Sequence, residues 1–139
     1  MINIIFDECI SSKMIAKIND IVQYHPSFSD TKIHHLQDYY RKGIKDHQWI
    51  PQLNKDWIIV TTDRGIKSKK DEKLPLICIQ KKIKHVLISK GLHSRKQFYK
   101  AVAILYCWDE ILNIKNQSLY LSYKLKLRDL KPKLEPYKK

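Results

Sequence analysis

The chain contains two short apolar runs that do not alternate with polar residues, and each run leads into an acidic residue. INIIF, at residues 2–6, is followed by Asp7 and Glu8, and WIIVTT, at residues 57–62, is followed by Asp63. Strands of this kind are buried on both faces, as in parallel sheets that helices cover on each side. These two runs therefore restrict the chain to an α/β fold more strongly than its other features do.

Other segments along the chain show the periodicity of strands or helices in turn. Further strands are expected at residues 31–36 and 84–89. Helices are expected at 11–24, where Ser11 or Ser12 can act as the cap, near Asp46 or Pro51, at 74–82, and at about 95–112. Strands that alternate with helices predict an α/β sandwich with a mainly parallel sheet of four to five strands.

The longest predicted helix and the tail after it complete the organisation of the chain. Ser94 is expected to cap the helix at 95–112, whose core stripe consists of Phe98, Val102, Leu105, Trp108 and Leu112. Residues 118–127 alternate leucine or tyrosine with polar and basic residues, which predicts a strand or a strand-like arm. We therefore divide the chain into a domain at 1–114 and a basic C-terminal extension at 115–139.

The location of the protein is indicated by what its sequence lacks. The longest uninterrupted apolar run, at residues 101–108, is far shorter than the roughly 18 residues that a membrane span needs. No basic segment precedes the apolar residues at the amino terminus, so no secretory signal is visible. The three cysteines form no C-x-x-C pair, which argues against a zinc site and favours a reducing cytoplasm.

The charge of the chain is strongly positive and unevenly distributed. The net charge is +13. Residues 1–63 hold 7 of the 27 basic and 8 of the 14 acidic residues, a net charge of −1, so residues 64–139 carry +14. A domain this basic attracts polyanions, most commonly nucleic acid, although a solvated basic surface is the simpler alternative.

Three aspartates far apart in sequence are expected at one edge of the sheet. Asp7 and Asp63 follow strands, and Asp46 lies near a helix start just before the second of those strands. Ligands of open parallel sheets bind beyond the carboxyl ends of the strands. Clustered carboxylates repel one another unless a hard cation such as Mg²⁺ or Mn²⁺ binds them. A metal site is therefore predicted, although Asp46 alone could be a helix cap and Asp63 alone a turn residue.

Basic residues follow the acids and could hold a phosphate group near such a metal. Arg64, Lys69 and Lys70 come after Asp63, and Lys90 follows the strand at 84–89. The lysine pair could equally be a solvated loop. The six histidines show no paired metal-ligand spacing, and His34, His35 and His47 are expected at the surface or behind the metal ligands.

Several of these segments together resemble one known family. IIFDECIS, GIKDHQWIPQL, DWIIVTTDRGI and HVLISKG are similar in order and spacing to the compact PIN-like domains, relatives of the VapC-type toxin ribonucleases of toxin–antitoxin modules. The likeness spans roughly residues 2–112. Cys9 and Ile10 depart from it, because such domains often have Asn-Leu there. The usual fourth carboxylate has only Glu72 and Asp109 as distant candidates.

The resemblance implies a three-layer α/β/α fold and Mg²⁺- or Mn²⁺-dependent cleavage of RNA. Asp7, Asp46 and Asp63 match the family's acidic, metal-binding positions, and Glu8 and Arg64 match accompanying residues. The resemblance also implies a small antitoxin protein as partner. A homodimer is left open, as are the RNA target and the number of metal ions.

Two other classes of function fit part of the sequence. A receiver-like phosphoacceptor domain also has acids at two strand ends and a lysine at a later one, which Asp7, Glu8, Asp63 and Lys90 could imitate. A non-catalytic RNA- or protein-binding module could keep the same fold and charge. Metal-dependent turnover separates the nuclease from such a binder, whose affinity would depend strongly on salt but not on Mg²⁺.

Overall fold

The described residues form one sheet of five strands, all parallel. The computed structural model describes residues 1–54, 56–62, 74–88, 90–94, 96–114, 118–121 and 136, and at residues 46, 74–76, 90, 91 and 118–121 it describes the backbone alone. The strands are β1 (Ile2–Phe6), β2 (Thr31–His35), β3 (Trp57–Thr61), β4 (Lys84–Ile88) and β5 (Ser118–Leu121). Their order in the sheet is β2-β1-β3-β4-β5. The predicted α/β fold is confirmed.

Six α-helices lie among the described residues. They are α1 (Ser12–Val22), α2 (Asp46–Trp49), α3 (Leu74–Lys81), α4 (Lys90–His93), α5 (Gln97–Tyr106) and α6 (Trp108–Leu112). Three single-turn 3₁₀ helices occupy Phe28–Asp30, Leu36–Asp38 and Ile50–Gln52. None of the helices in the described part of the chain is long and apolar enough to cross a membrane.

The sheet is covered on both faces, which explains why its strands are apolar without alternation. On one face, Ile4 and Phe6 belong to a core that includes side chains of α1, α5 and α6. On the other face, Ile5 belongs to a second core that includes Trp49 and Ile50 and side chains of α3. Successive strand residues point to opposite faces, so each face of β1 needs apolar side chains. The three-layer arrangement is confirmed.

Helix α1 forms as its sequence predicts. The Ser11 side chain accepts a hydrogen bond from the backbone N–H of Met14 at 3.3 Å, which identifies Ser11 rather than Ser12 as the cap. Ile15, Ile18 and Val22 lie on the buried stripe. Because α1 connects two parallel strands, it runs back from the carboxyl edge of the sheet to the opposite edge.

The single helix predicted at 95–112 is wrong. The segment instead forms α5 and α6, separated at Cys107, whose φ of −93° and ψ of 13° depart from helical values. Ser94 is not the cap: Lys96 precedes α5, and its side chain makes no capping hydrogen bond. Phe98 is 70% exposed. The core side of α5 consists of Lys100, Ala103 and Ile104 rather than Phe98, whereas Trp108 and Leu112 of the predicted stripe are buried in α6 as expected.

The C-terminal segment adds a strand to the sheet. β5 pairs with β4 in parallel, with His85 opposite Ser118 and Ile88 opposite Leu121. This strand confirms the first part of the element predicted at 118–127, whose remainder lies outside the described residues. The division of the chain at residues 114 and 115 stays a prediction.

Candidate metal-binding edge of the sheet

The direction in which the chain adds strands reverses between β1 and β3. From β1 the chain moves outward to β2, then returns to β3 on the other side and continues through β4 and β5. The loops after β1 and β3 therefore leave the sheet in opposite directions, which opens a crevice at the carboxyl edge between them. Ligands of open α/β sheets bind at such switch points. Asp7 directly follows β1 at this crevice.

The carboxylate of Asp7 is held between the ends of the two central strands. Its side chain is buried, with 4% of its surface exposed. Oδ1 accepts the backbone N–H of Cys9 at 3.2 Å, and Oδ2 accepts that of Thr62 at 3.4 Å. The Asp7 backbone N–H donates to the Val60 carbonyl at 3.1 Å. These contacts fix the position of an anionic group at the crevice.

The contact with Thr62 also bears on Asp63, the next residue along the chain. Asp63 lies outside the described residues, as do Arg64, Lys69 and Lys70. Thr62 is described, and its backbone N–H lies against the Asp7 carboxylate. The two strand ends from which the sequence predicts metal-binding carboxylates therefore meet.

The side chain of Glu8 contacts a third segment at this edge of the sheet, the loop before α2. Its Oε2 accepts the backbone N–H of Gly43 at 3.0 Å. Gly43 has a φ of +82°, a conformation that favours glycine, and a Cβ there would meet no atom within 4 Å. The contact attaches the loop before α2 to the end of β1, three residues ahead of Asp46. The catalytic role predicted for Glu8 stays a prediction.

Asp46 is the first residue of α2, and the packing of that helix fixes its position. Trp49 and Ile50 are fully buried and belong to the same core as Ile5 and Ile59 of the sheet. Pro51 lies in the 3₁₀ turn that continues α2, which accommodates the proline that an α-helix interior would not. Backbone packing thus places Asp46 beside the segment that Glu8 holds.

Of the four acids predicted for the site, side chains are described for Asp7 and Glu8. Within the described side chains, no group of three or more histidine, cysteine, aspartate or glutamate residues could bind a metal ion. Lys90 begins α4 just beyond the carboxyl end of β4, and its predicted role in holding phosphate stays a prediction.

Asp109 does not belong to this edge. Its Oδ1 contacts Nε2 of His25 at 2.7 Å. His25 follows the C-terminal end of α1, and that helix of 11 residues spans about 16 Å from the carboxyl edge towards the opposite edge. Asp109 is therefore excluded as a fourth carboxylate beside Asp7. Glu72, the other candidate, lies outside the described residues.

Two buried histidines hold the edge in place from behind, a position that the sequence allows for His35 but does not suggest for His85. His35, expected at the surface or behind the ligands, is buried; its Nε2 contacts the Ile10 carbonyl at 2.7 Å and its Nδ1 accepts the Gln37 N–H at 3.2 Å. Because Nδ1 accepts, Nε2 carries the proton and donates it to Ile10. His35 thereby fixes the loop that follows Asp7.

His85 supports the end of β3 in a similar way. Its Nε2 lies 2.9 Å from the Thr61 hydroxyl, and both side chains are fully buried. Burial lowers the pKa of His85 to about 4, so the imidazole is neutral at physiological pH. It therefore serves as a fixed hydrogen-bonding group one residue before Thr62.

Lys100 is a further basic residue that the sequence does not single out. It lies in the first turns of α5, and 5% of its surface is exposed. No ion pair joins it to another residue among those described. α5 begins at the carboxyl edge, because α4 follows β4 directly and α5 must return before the parallel β5. Lys100 also lowers the pKa of His93, after the larger effect of burial.

Comparison with known proteins is consistent with this architecture. The family model described as a PIN like domain matches residues 2–89, which is more than half of the chain and includes β1 to β4. No curated protein and no solved structure matches the chain.

Proposed function

The chain belongs to the PIN-like domain family, and from this membership we propose that it is a metal-dependent endoribonuclease that hydrolyses RNA phosphodiester bonds. PIN domains are generally nucleases, and they typically use divalent metal ions. The observation that carries the proposal is the buried Asp7 carboxylate at the switch point, in contact with the backbone directly before Asp63.

The donor chemistry of the edge fits Mg²⁺ or Mn²⁺. These ions prefer carboxylate and water oxygens, and Asp7, Asp46 and Asp63 would supply the carboxylates. Burial of an anion such as Asp7 is costly unless hydrogen bonds or a cation compensate it. Each backbone N–H occupies one of the roughly four lone-pair sites of the carboxylate, so these hydrogen bonds are compatible with metal binding. A bound ion supplies an activated water and stabilises charge on the leaving oxygen.

The basic half of the chain would hold the RNA backbone. Residues 64–139 carry a net charge of +14, and phosphate neutralisation supplies most of the non-specific affinity for nucleic acid. Arg64, Lys69, Lys70 and Lys90 are the residues we assign to phosphate. Lys100 joins them, because most of its side chain is covered by the fold while its ammonium group has no ion pair among the described residues, so a phosphate at this edge would pair with it.

We also propose that the protein is the toxin of a type II toxin–antitoxin module in the cytoplasm. The support is the likeness of its short segments to the VapC-type ribonucleases, together with the net charge of +13, which a small acidic antitoxin would neutralise. Growth arrest on expression, relieved by the product of a small neighbouring reading frame, is the expected result. Growth that is unaffected by active protein would contradict the toxin assignment but leave the nuclease intact.

The two alternatives make different demands on the same edge. The strand order β2-β1-β3-β4-β5 also occurs in receiver domains, so topology does not separate them from a nuclease. A receiver would incorporate phosphate from acetyl phosphate, and we expect no incorporation. A non-catalytic binder would retain RNA without metal-dependent turnover.

The decisive experiment is cleavage of total RNA with Mg²⁺ or Mn²⁺, with EDTA, and by Asp7→Asn. We expect metal-dependent cutting that the variant loses. Asp20→Asn is the matched control, because Asp20 is an exposed aspartate on α1. Thermal melting shows that each variant is folded. Cutting that survives Asp7→Asn would show that Asp7 is not in the site, and a folded, metal-supplemented wild type that leaves RNA intact would contradict the proposal.

A further inference from the structure

At the amino edge of the sheet, a cavity lies on the face that carries α2 and α3. Three residues in register across neighbouring strands form its floor: Lys32 of β2, Asn3 of β1 and Trp57 of β3. Two residues further along β1, on the same face of the sheet, Ile5 belongs to the same core as Trp49 of α2. The row formed by Lys32, Asn3 and Trp57 therefore lies beyond the ends of the helices that cover this face of the sheet. A cavity of about 310 Å³ is left above it.

The walls of this cavity are aromatic. His34 and Trp57 lie with ring centroids 4.9 Å apart and a tilt of 35° between their planes. Tyr39 meets His34 edge-on at 5.3 Å, and Tyr40 completes the lining. Tyr39 is 56% exposed and Trp57 is half-buried. Exposed aromatic side chains cost free energy in water, so several of them around one cavity indicate a planar, apolar-faced ligand.

Hydrogen bonds hold the rings in place. The Tyr39 hydroxyl lies 2.6 Å from His34 Nδ1, and His34 Nε2 lies 3.0 Å from Asn3 Oδ1. Since the amide oxygen of Asn3 accepts, His34 Nε2 carries the proton, and Nδ1 accepts from the tyrosine. The Tyr40 hydroxyl donates to Gln52 Oε1 at 3.1 Å. The rings are thus fixed before any ligand arrives, which lowers the entropic cost of stacking.

Charge at the cavity favours an anionic or neutral ligand. Lys32 is exposed at its rim. Burial lowers the pKa of His34, and Lys32 lowers it further against the opposing effect of Asp38, so the imidazole is neutral. The carboxylate of Asp38 already has a hydrogen-bond partner within the protein, since its Oδ2 accepts the backbone N–H of His35 at 3.0 Å. A flat ring bearing a nearby phosphate is complementary to neutral aromatic walls and a lysine at the rim.

We propose that this cavity is a nucleobase-binding subsite, which receives an unpaired base of a single-stranded RNA against the rings of Tyr39, His34 and Trp57 while Lys32 binds an adjacent phosphate. The identity of the ligand as RNA rests on the proposed function. The subsite lies about 13 Å along β1 from Asp7, the length of four strand residues, so base binding and phosphodiester cleavage occur at separate places. Double-stranded RNA, whose bases are stacked and paired, cannot insert a base here.

Intrinsic fluorescence provides a direct test. Of the three tryptophans, Trp49 and Trp108 are buried and Trp57 is partly exposed, so a base that stacks in the cavity quenches Trp57. The wild-type protein is titrated in EDTA, which prevents cleavage. The probes are nucleoside 5′-monophosphates, ribose 5-phosphate, a single-stranded RNA oligonucleotide and the same sequence as a duplex. We expect saturable quenching by the monophosphates and the single strand, and none by ribose 5-phosphate or the duplex.

Variants identify the residues that bind. Tyr39→Ala is expected to weaken single-strand binding about tenfold, the typical loss when one stacking side chain is removed. Tyr24→Ala is the matched control, because Tyr24 is 84% exposed beyond the end of α1, on the other face. Lys32→Ala should reduce the salt dependence of binding, with Lys17→Ala on α1 as its control.

The outcomes separate this subsite from the nuclease activity. Equal quenching by ribose 5-phosphate, equal affinity for the duplex, or unchanged binding by a folded Tyr39→Ala would overturn the subsite even where RNA is cleaved. An absence of quenching by any RNA probe, with the cavity instead covered by a protein partner, would overturn it as well. Quenching that Tyr39→Ala abolishes, in a protein that never cuts RNA, would support the subsite and reject the proposed nuclease.

Discussion

The carboxylate of Asp7 accepts the backbone N–H of Thr62, so the ends of β1 and β3 are joined at the point where the strand order reverses. The contact brings together two segments that lie 55 residues apart in sequence. It also gives the acid at the end of β1 a fixed position relative to the chain that leads into Asp63. A divalent ion at this edge would therefore bind the folded protein and not the unfolded chain.

Metal binding should consequently raise thermal stability. At a free Mn²⁺ concentration of 100 times Kd, linkage predicts a gain of about 2.7 kcal/mol, or roughly 10 °C in Tm for a domain of this size. Asp7→Asn should lose most of the shift, whereas Asp20→Asn should keep it. Differential scanning fluorimetry with and without Mn²⁺ makes the measurement. An equal shift in wild type and Asp7→Asn would remove Asp7 from the ligand set without reference to catalysis.

The contact between Glu8 and Gly43 predicts a difference between two substitutions. Glu8→Gln retains an oxygen that can accept the Gly43 N–H, and its stability should stay within about 0.5 kcal/mol of wild type. Glu8→Ala loses the acceptor and should cost about 1 kcal/mol. Urea unfolding gives both values. If Glu8→Gln also cleaves RNA normally, the contact is positional; a large loss of cleavage at unchanged stability would identify Glu8 as catalytic.

Gly43 itself should resist substitution for a conformational reason alone. Its φ of +82° is unfavourable for residues with a Cβ, yet a Cβ there would meet no neighbour within 4 Å. Gly43→Ala should therefore cost about 1 kcal/mol, and Gly43→Asn should cost less, because asparagine tolerates this conformation better. Equal losses for both variants would indicate that a steric contact, rather than φ, sets the cost.

The sheet was predictable because its strands are apolar on both faces. Ile4, Ile5 and Phe6 are consecutive apolar residues, so a strand with one face in water would expose at least one of them. The same argument applies to Ile58, Ile59 and Val60. The helix at 95–112 was not predictable, because apolar residues occur on several sides of the segment. From the sequence, Phe98 is as plausible a core residue as Ala103 and Ile104, although only the latter two are buried. The break between α5 and α6 at Cys107 has no proline or glycine to mark it in the sequence.

The site was predictable to the extent that strand ends determine it. Asp7 is identified by its place after an apolar run, and the parallel sheet then brings Thr62 to it. A position behind the ligands was one of the two expected for His35, but the contacts that give the supporting residues their roles are long-range and were not predictable. His35 binds the Ile10 carbonyl and His85 binds Thr61, and neither histidine lies in a recognisable motif. Lys100 looks like one more surface lysine until the rotation of α5 is known.

The buried His85 makes stability depend on pH. In the unfolded chain its pKa is near 6.5, whereas in the folded protein burial lowers the pKa to about 4. Between these values the unfolded state binds a proton that the folded state does not, so stability falls as the pH is lowered from 6.5 to 4. The full loss is about 3 kcal/mol. His85→Gln should remove this component, whereas His47→Gln, at an exposed position, should retain it; urea unfolding between pH 4 and 7 provides the comparison.

The buried Lys100 predicts opposite effects on stability and on cleavage. Lys100→Met keeps the length of this largely buried side chain and removes a charge that has no ion pair among the described residues, so stability should be unchanged or higher. If Lys100 binds phosphate at the carboxyl edge, the same variant should lose at least tenfold in the rate of RNA cleavage, the typical effect of losing a hydrogen bond to a charged group. Lys17→Met, on the exposed side of α1, is the control and should change neither quantity. Normal cleavage by Lys100→Met would restrict Lys100 to packing, and a marked loss of stability would show that an anionic group of the chain itself pairs with it.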